Sequence, residues 1–572
     1  MPNRRTGTAP ILGWLASYQK TWLRPDVIAG LTTAAVVVPK AMAYATVAGL
    51  PVEVGIYTAF VPMIVYALLG TSRPLSVSTT TTIGILTGAQ LAAVAPTGDP
   101  AQLLAATATL TVLVGTMLLA ASLLRLGAIA SFISEPVLTG FKAGVGLVIV
   151  VDQVPKLLGI HFDKGGFLQN VLSLIGHLPQ TSLATLAVGV AMLVILVALE
   201  RFSPRTPAPL VAMAVGIAAS ALLALQTFGV ETVGEIPLGL PAYTAPNLAL
   251  VDQLWPGALG IALMSFTESI AAARAFAGRD EPRLDANREL VATGVGNLVG
   301  GLFGSMPGGG GTSQTAVNRS AGARSQLAGL VTAGVSLATL LLLAPLLGLM
   351  PQATLAAVVI VYSIGLIEPA EFRAILRIRR MEFLWAAAAF AGVVVLGTLK
   401  GIVVAVILSL IALSYQAARP KVYVLGRKPG TDVFRPLSPD YPDDETFPGL
   451  LMARTEGRLF FANAQHVSEQ VLPLVESSQA KVVALDMSAV PDIEYSALKA
   501  LIEGEERHRA RGVQLWLVAL NADVRQMVER SSLWETLGRD RLFFTMEAAV
   551  GRFVAQRAAE AATPPTPGTD RA

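Results

Sequence analysis

The sequence predicts an all-α polytopic membrane domain of about fourteen spans, built as a 7+7 inverted repeat with two broken segments, followed by a small C-terminal α/β domain. Three observations carry this. Hydrophobic residues make up 53% of the 572 and charged residues only 14%, and the mean hydropathy is +0.60, far more apolar than a soluble chain. A run of four glycines, Gly308 to Gly311, interrupts the apolar region, and a hydroxyl-rich helix start follows it at Thr312. Exposed backbone survives at membrane depth only where protein buries it or where it lines a watery cavity. The third observation is the turn to polar composition after Tyr415.

In chain order, apolar spans read at 26–48, 53–70, 76–94, 102–123, 131–155, 181–199, 207–228, 253–276, 287–304, 312–323, 326–348, 353–367, 383–398 and 400–417. The membrane domain is therefore expected over 26–418, with repeats at 26–228 and 253–417. If the N-terminus is cytoplasmic, the inner loops hold Arg73, Arg125, Arg201, Arg205, Arg274, Arg279, Arg283, Arg288, Arg319, Arg324, Arg373, Arg377, Arg379 and Arg380, and the outer loops hold no arginine. That satisfies the positive-inside rule. Residues 1–25, with Arg4, Arg5, Lys20 and Arg24 around the short apolar piece Ile11 to Leu15, lack the features of a signal peptide. Both termini are expected in the cytoplasm of a cell whose inner (plasma) membrane holds the protein.

Composition also excludes classes. There is no cysteine, and four scattered histidines offer no metal-ligand spacing. A net charge of +3 gives no reason to expect nucleic acid as a partner. No Walker lysine motif or nucleophile elbow is present, so neither an enzyme nor a bound cofactor is expected.

Gly70 to Thr80 lies opposite Gly304 to Gln314, and Val36 to Ala45 opposite Met264 to Ala273, which sets Lys40 against Glu268. An odd number of spans per half inverts one copy relative to the other. Two broken helices then meet with their N-termini facing, and such ends attract anions. The candidate substrate site is Lys40, Tyr44, Ser78, Thr79, Gly310, Gly311, Thr312, Ser313 and Gln314, with Thr312 or Ser313 capping the second helix. Glu268 would repel an anion unless it pairs with Lys40, takes up a proton or ligates sodium. Pairing or proton exchange is the favoured reading, and Glu268 is the candidate coupling residue.

Pro39-Lys40-Ala41-Met42-Ala43-Tyr44-Ala45, Gly70-Thr71-Ser72-Arg73, Ser134-Glu135-Pro136-Val137, Glu268-Ser269-Ile270, Asp285-Ala286-Asn287-Arg288-Glu289-Leu290 and Thr315-Ala316-Val317-Asn318 together resemble the sulfate permease (SulP) family of anion transporters, over about residues 20–555. The resemblance implies the 7+7 inverted repeat, a core domain moving against a gate domain, a homodimer, and a cytoplasmic STAS domain at the C-terminus. Many members carry Gln where Lys40 stands and Arg where Gln314 stands, so the cation is expected to have moved from the second broken helix to the first. The expected function is secondary active transport of a small anion of the sulfate, bicarbonate, chloride or dicarboxylate class by alternating access, with proton or sodium coupling. An anion-responsive sensor or scaffold signalling through the STAS domain, and an anion channel, stay open.

The tail divides into a Pro- and Asp-rich linker at 419–448, the STAS domain at 449–556 and a disordered tail at 557–572. Strands are expected at 459–462, 482–486 and 513–520, and helices at 464–477, 496–511 and 521–531. Asp486-Met487-Ser488 with Pro491 to Leu498 resembles the STAS signature, which places Ser496 where phosphorylatable members carry their hydroxyl. Glu494 and Tyr495 precede it, so Ser496 reads first as an N-cap and second as a regulatory site. A cytoplasmic regulator is the partner this domain implies.

Overall fold

The computed structural model describes residues 14–95, 99–127, 134–162, 165–203, 206–237, 239–278, 281 and 284–562. Arg4, Arg5, Arg205, Arg279 and Arg283 fall outside these, as does the tail beyond 562. The chain forms two compact units, Met1–Leu410 and Ile411–Ala572.

In the first unit the first half runs α1 (Leu23–Val47), α2 (Val52–Leu69), β1 (Val77–Ser78), α3 (Thr81–Val94), α4 (Pro100–Leu123), α5 (Glu135–Leu158), α6 (Phe167–His177), α7 (Leu183–Phe202) and α8 (Ala208–Leu223). The second half repeats the order: α9 (Val251–Ala275), α10 (Ala286–Leu302), β2 (Gly309–Gly310), α11 (Thr312–Ser320), α12 (Leu327–Gly348), α13 (Gln352–Ile364), α14 (Pro369–Ile378), α15 (Arg380–Leu396) and α16 (Thr398–Ala418), whose residues from Ile411 on belong to the second unit. Each of the fourteen predicted apolar stretches is met by one of these helices. Eight helices are long and apolar enough by themselves to cross a bilayer. The amphipathic α6 and α14, at matching places in the two halves, have too few apolar residues to register as spans. Outward-facing Leu183, Val194 and Val197 on α7 and Leu342 and Leu346 on α12 are exposed, as side chains solvated by lipid are.

The halves interlock with exchanged partners. Helix α4 lies along α10, and α12 lies along α2. The first of these pairs is close because a Cβ on Gly115 would stand 2.6 Å from the amide nitrogen of Leu298, so only glycine lets the backbones meet. One bundle gathers α1 to α4 with α9 to α12, and a second gathers α5, α7, α8, α13 and α15. They meet along a seam where α1 touches α8 and α13, and α3 touches α5 and α13.

The second unit is a six-stranded sheet in the order β4-β3-β5-β6-β7-β8, in which β5 (Leu450–Thr455), β6 (Val482–Asp486), β7 (Gln514–Val518) and β8 (Leu542–Phe543) are parallel. Helices α17 (Ala464–Ser478), α18 (Tyr495–Ala510), α19 (Ala522–Glu529) and α20 (Ser532–Leu537) supply the apolar layer on one face, and α21 (Met546–Ala562) covers the other. Three expectations are corrected. The stretch 419–448 contains β3 (Val422–Arg427) and β4 (Phe434–Pro436), whose short apolar runs pair antiparallel despite the charged and proline-rich surroundings. Residues 459–462 form no strand, because Leu459 makes only a single bridge to Ile493 and the sheet position belongs to β5. Residues 557–562 continue α21 where a disordered tail was expected.

Candidate functional site

Strands β1 and β2 pair antiparallel, Val77 with Gly310 and Ser78 with Gly309, so the two broken segments meet and α3 and α11 start from the same place. At membrane depth every backbone group there needs a partner. Side chains of neighbouring helices supply them. Asn297 on α10 accepts from the Gly308 amide at 2.8 Å and donates to its carbonyl at 3.0 Å. On α9, Ser265 donates to that carbonyl at 2.7 Å, and Ser269 accepts from the Gly310 amide at 2.7 Å. On the first break, Thr315 accepts from the Ser76 amide at 3.1 Å, and Asn318 donates to the Pro74 carbonyl at 2.9 Å. Gln326 donates to the carbonyls of Ser72 and Leu75, both at 2.8 Å.

Two buried carboxylates brace the flanks reciprocally. Asp26, at the start of α1, accepts from the amides of Arg324 and Ser325 at 2.6 and 3.1 Å, ahead of α12. Glu289, on α10, accepts from the Tyr66 hydroxyl at 2.7 Å and the Thr71 amide at 2.8 Å, ahead of β1. Each half thus pins a segment flanking the other half's break, Glu289 the approach to β1 and Asp26 the exit from α11. Sequence reasoning singled out none of these bracing roles. Ser265 and Ser269, one turn apart on α9, were the available signal.

The proposed site residues fall as follows. Lys40 follows Pro39, whose ring removes the amide that would have bonded to the Ala35 carbonyl. Its Nζ is 3.0 Å from Ser313 Oγ and 3.7 Å from the ring centre of Tyr362. Thr312 and Ser313 are exposed within a heavily buried region, at the open end of α11. Neither caps that helix: Gly311 is the N-cap and offers no side chain, which corrects the expected cap. No acceptor among the described residues meets the amides of Thr312, Ser313 and Gln314, so the first turn presents bare donors beside the ammonium. On the other wall, Thr80 caps α3 by accepting from the Ile83 amide at 3.3 Å. Thr79 is buried with its hydroxyl unpartnered, and Tyr44 packs its Cβ against Gly84 of α3.

Five residues do something other than expected. Glu268 makes no ion pair with Lys40; its Oε2 accepts the Thr80 hydroxyl at 2.7 Å. Gln314 turns away from the open end, donating to the Ser76 carbonyl at 2.8 Å and accepting from Ser78 Oγ at 3.0 Å. Both are therefore tied into the joint between the two breaks. Gly310 is bare for packing: a Cβ there would meet the Leu75 side chain at 2.8 Å and the Ser269 Cα at 2.9 Å, and one on Gly311 would meet the Gln314 side chain. In the second unit, Glu494 holds the N-cap position of α18, which leaves Ser496 exposed in its first turn, not at the cap.

Two interlocked inverted halves with paired broken segments at their centre define a membrane transporter fold, and two comparisons agree. The murine Solute Carrier 26 family member A9 anion transporter, solved in an inward-facing state, superposes with a TM-score of 0.87 at 24% identity, covering 97% of this chain and 96% of that one. The transmembrane domain of a cyanobacterium bicarbonate transporter, BicA, superposes with a TM-score of 0.60 at 27% identity, over 68% of this chain and 98% of that one. The family model for the sulfate permease family matches residues 23–389, and that for the STAS domain matches 441–549. The chain belongs to the sulfate permease family, a family of transporters and not of enzymes. A probable sulfate transporter of Mycobacterium tuberculosis is 35% identical over 551 residues, which is 96% of this chain and 98% of that protein. The chloroplastic sulfate transporter 4.1 of Arabidopsis thaliana is 31% identical over 568 residues, covering 95% and 82%.

Proposed function

We propose that this chain is a secondary active transporter that binds a small anion, sulfate first among them, between the starts of α3 and α11 and moves it by alternating access. The observation that carries the reading is Lys40 Nζ at 3.0 Å from Ser313 Oγ, beside the bare first-turn amides of α11. A fixed ammonium and a helix N-terminus together stabilise negative charge, and they do so strongly where water is sparse. Sulfate is the first choice because the similar full-length proteins of M. tuberculosis and A. thaliana carry that name. Glu268 is the coupling group: protonated, it stops repelling the anion while its hydrogen bond to Thr80 keeps it at the start of α3. The distribution of arginines supports cytoplasmic termini in the plasma or inner membrane, and a homodimer with a regulator at the STAS domain completes the reading.

Purified protein in liposomes tests this with labelled sulfate, a pH gradient, and bicarbonate, chloride and dicarboxylates as competitors. The expected result is saturable, trans-stimulated uptake driven by inward protons, with Glu268→Gln transporting independently of the gradient. Lys40→Gln should weaken binding about ten- to hundredfold, the scale of a charge-assisted hydrogen bond. Large unsaturated currents indicate a channel, and binding without flux indicates a sensor. Unchanged affinity in Lys40→Gln places the site elsewhere.

A further inference from the structure

Lys40 belongs to the bundle that carries both broken helices, yet one of its two nearest partners does not. Ser313 is in the same bundle, on α11, whereas the Tyr362 ring, 3.7 Å from the ammonium, sits on α13 across the seam. Helices α7 and α13 pack on each other within the second bundle. The ammonium therefore bridges the two bundles through a cation–π contact.

We infer that Tyr362 is a positioning residue whose ring holds Lys40 at the seam while no anion is bound, so that the second bundle senses whether the site is filled. The inference rests on the proposed anion site. An ammonium cannot give its full attraction to a new anion and to an aromatic face at once. An anion arriving at the start of α11 offers Lys40 a stronger partner than a ring quadrupole does. Filling the site thus loosens the seam at α1 and α13, and emptying it tightens the seam again. Such an arrangement favours exchange of one anion for another over return of the empty carrier. A ligand moves an equilibrium only through differential affinity for its two states, and this contact supplies the difference.

The full-length protein in liposomes tests the inference, with wild type, Lys40→Gln, Tyr362→Phe and Tyr362→Leu compared. Tyr362→Leu removes the ring, and the ratio of exchange to net sulfate uptake should fall. Sulfate affinity should rise about three- to tenfold, the scale of a cation–π contact, because the competitor for Lys40 is gone. Tyr362→Phe keeps the ring and should match wild type in both. A second measurement does not depend on transport. The chain has no cysteine, so spin labels on cysteines introduced at Leu342 of α12 and Val194 of α7, both lipid-exposed, report the separation of the bundles. Without anion, the distance distribution of Tyr362→Leu should broaden relative to wild type. An anion-free distribution identical in the two proteins overturns the inference, as does an unchanged exchange ratio where Lys40→Gln still weakens binding. If wild type binds no anion while the distributions differ, the anion site is wrong and the seam contact stands.

Discussion

Lys40 and Glu268 occupy matching positions in the two halves, and their neighbours decide what each can do. Lys40 touches the open end of α11, while Glu268 is drawn to the Thr80 hydroxyl at the start of α3. An ion pair between them would cancel the cation beside the bare amides; in the proposed site, keeping them apart leaves Lys40 for the anion. Gln314 shows the limit of reading such a site from residue types. Its position in the sequence, one residue after Ser313, suggested a place at the anion, yet both ends of its amide are spent on Ser76 and Ser78. Moving the cation back by combining Lys40→Gln with Gln314→Arg is therefore expected to fail. The guanidinium has no acceptor to replace the one it displaces, and the variant should bind sulfate no better than Lys40→Gln alone. A rescue of tenfold or more in affinity would show that residue 314 can swing to the open end.

At the scale of elements, the broken segments were legible because glycine runs and hydroxyl clusters have no place in a continuous apolar helix. Their position could be read; what makes them tenable could not. That depends on side chains from α9, α10, α11 and Gln326 just ahead of α12 reaching the freed backbone, contacts that span 239 residues between Ser76 and Thr315 and only 11 between Asn297 and Gly308. Periodicity reports which face of a helix is apolar, not which polar atom faces which carbonyl. Asn297→Ala isolates one such contact. It strips the Gly308 amide of its acceptor in a buried setting, a loss of about 1–3 kcal/mol. The melting temperature in detergent should fall and sulfate binding weaken together, whereas an unchanged melting temperature would mean that the backbone there finds another partner. The amphipathic α6 and α14 escaped for a related reason: at 11 and 10 residues they are too short to resemble spans, although their matching places in the two halves repeat faithfully.

For the whole molecule, the main correction is where the second unit begins. Composition drew the boundary near 449, because Pro and Asp dominate the preceding stretch, but β3 starts at Val422 and lies between β4 and β5. A chain cut after Ala418 removes the sheet cleanly. One cut after Asp440 leaves β3 and β4 without β5, an unpaired strand edge that invites association between copies. The first is expected to stay monodisperse in detergent and to bind sulfate with wild-type affinity, since every candidate ligand precedes Leu410; the second is expected to aggregate. Loss of affinity in the shorter chain would place part of the site in the tail. The two-residue pairing of β1 with β2 has a further consequence. Either half alone possesses one strand of that pair and one carboxylate of the reciprocal brace, so neither can close a site in isolation. Supplied as two separate polypeptides, the halves would have to find each other in opposite orientations across the bilayer, which makes this joint the contact through which an ancestral pair of identical, oppositely inserted chains could have first worked as one.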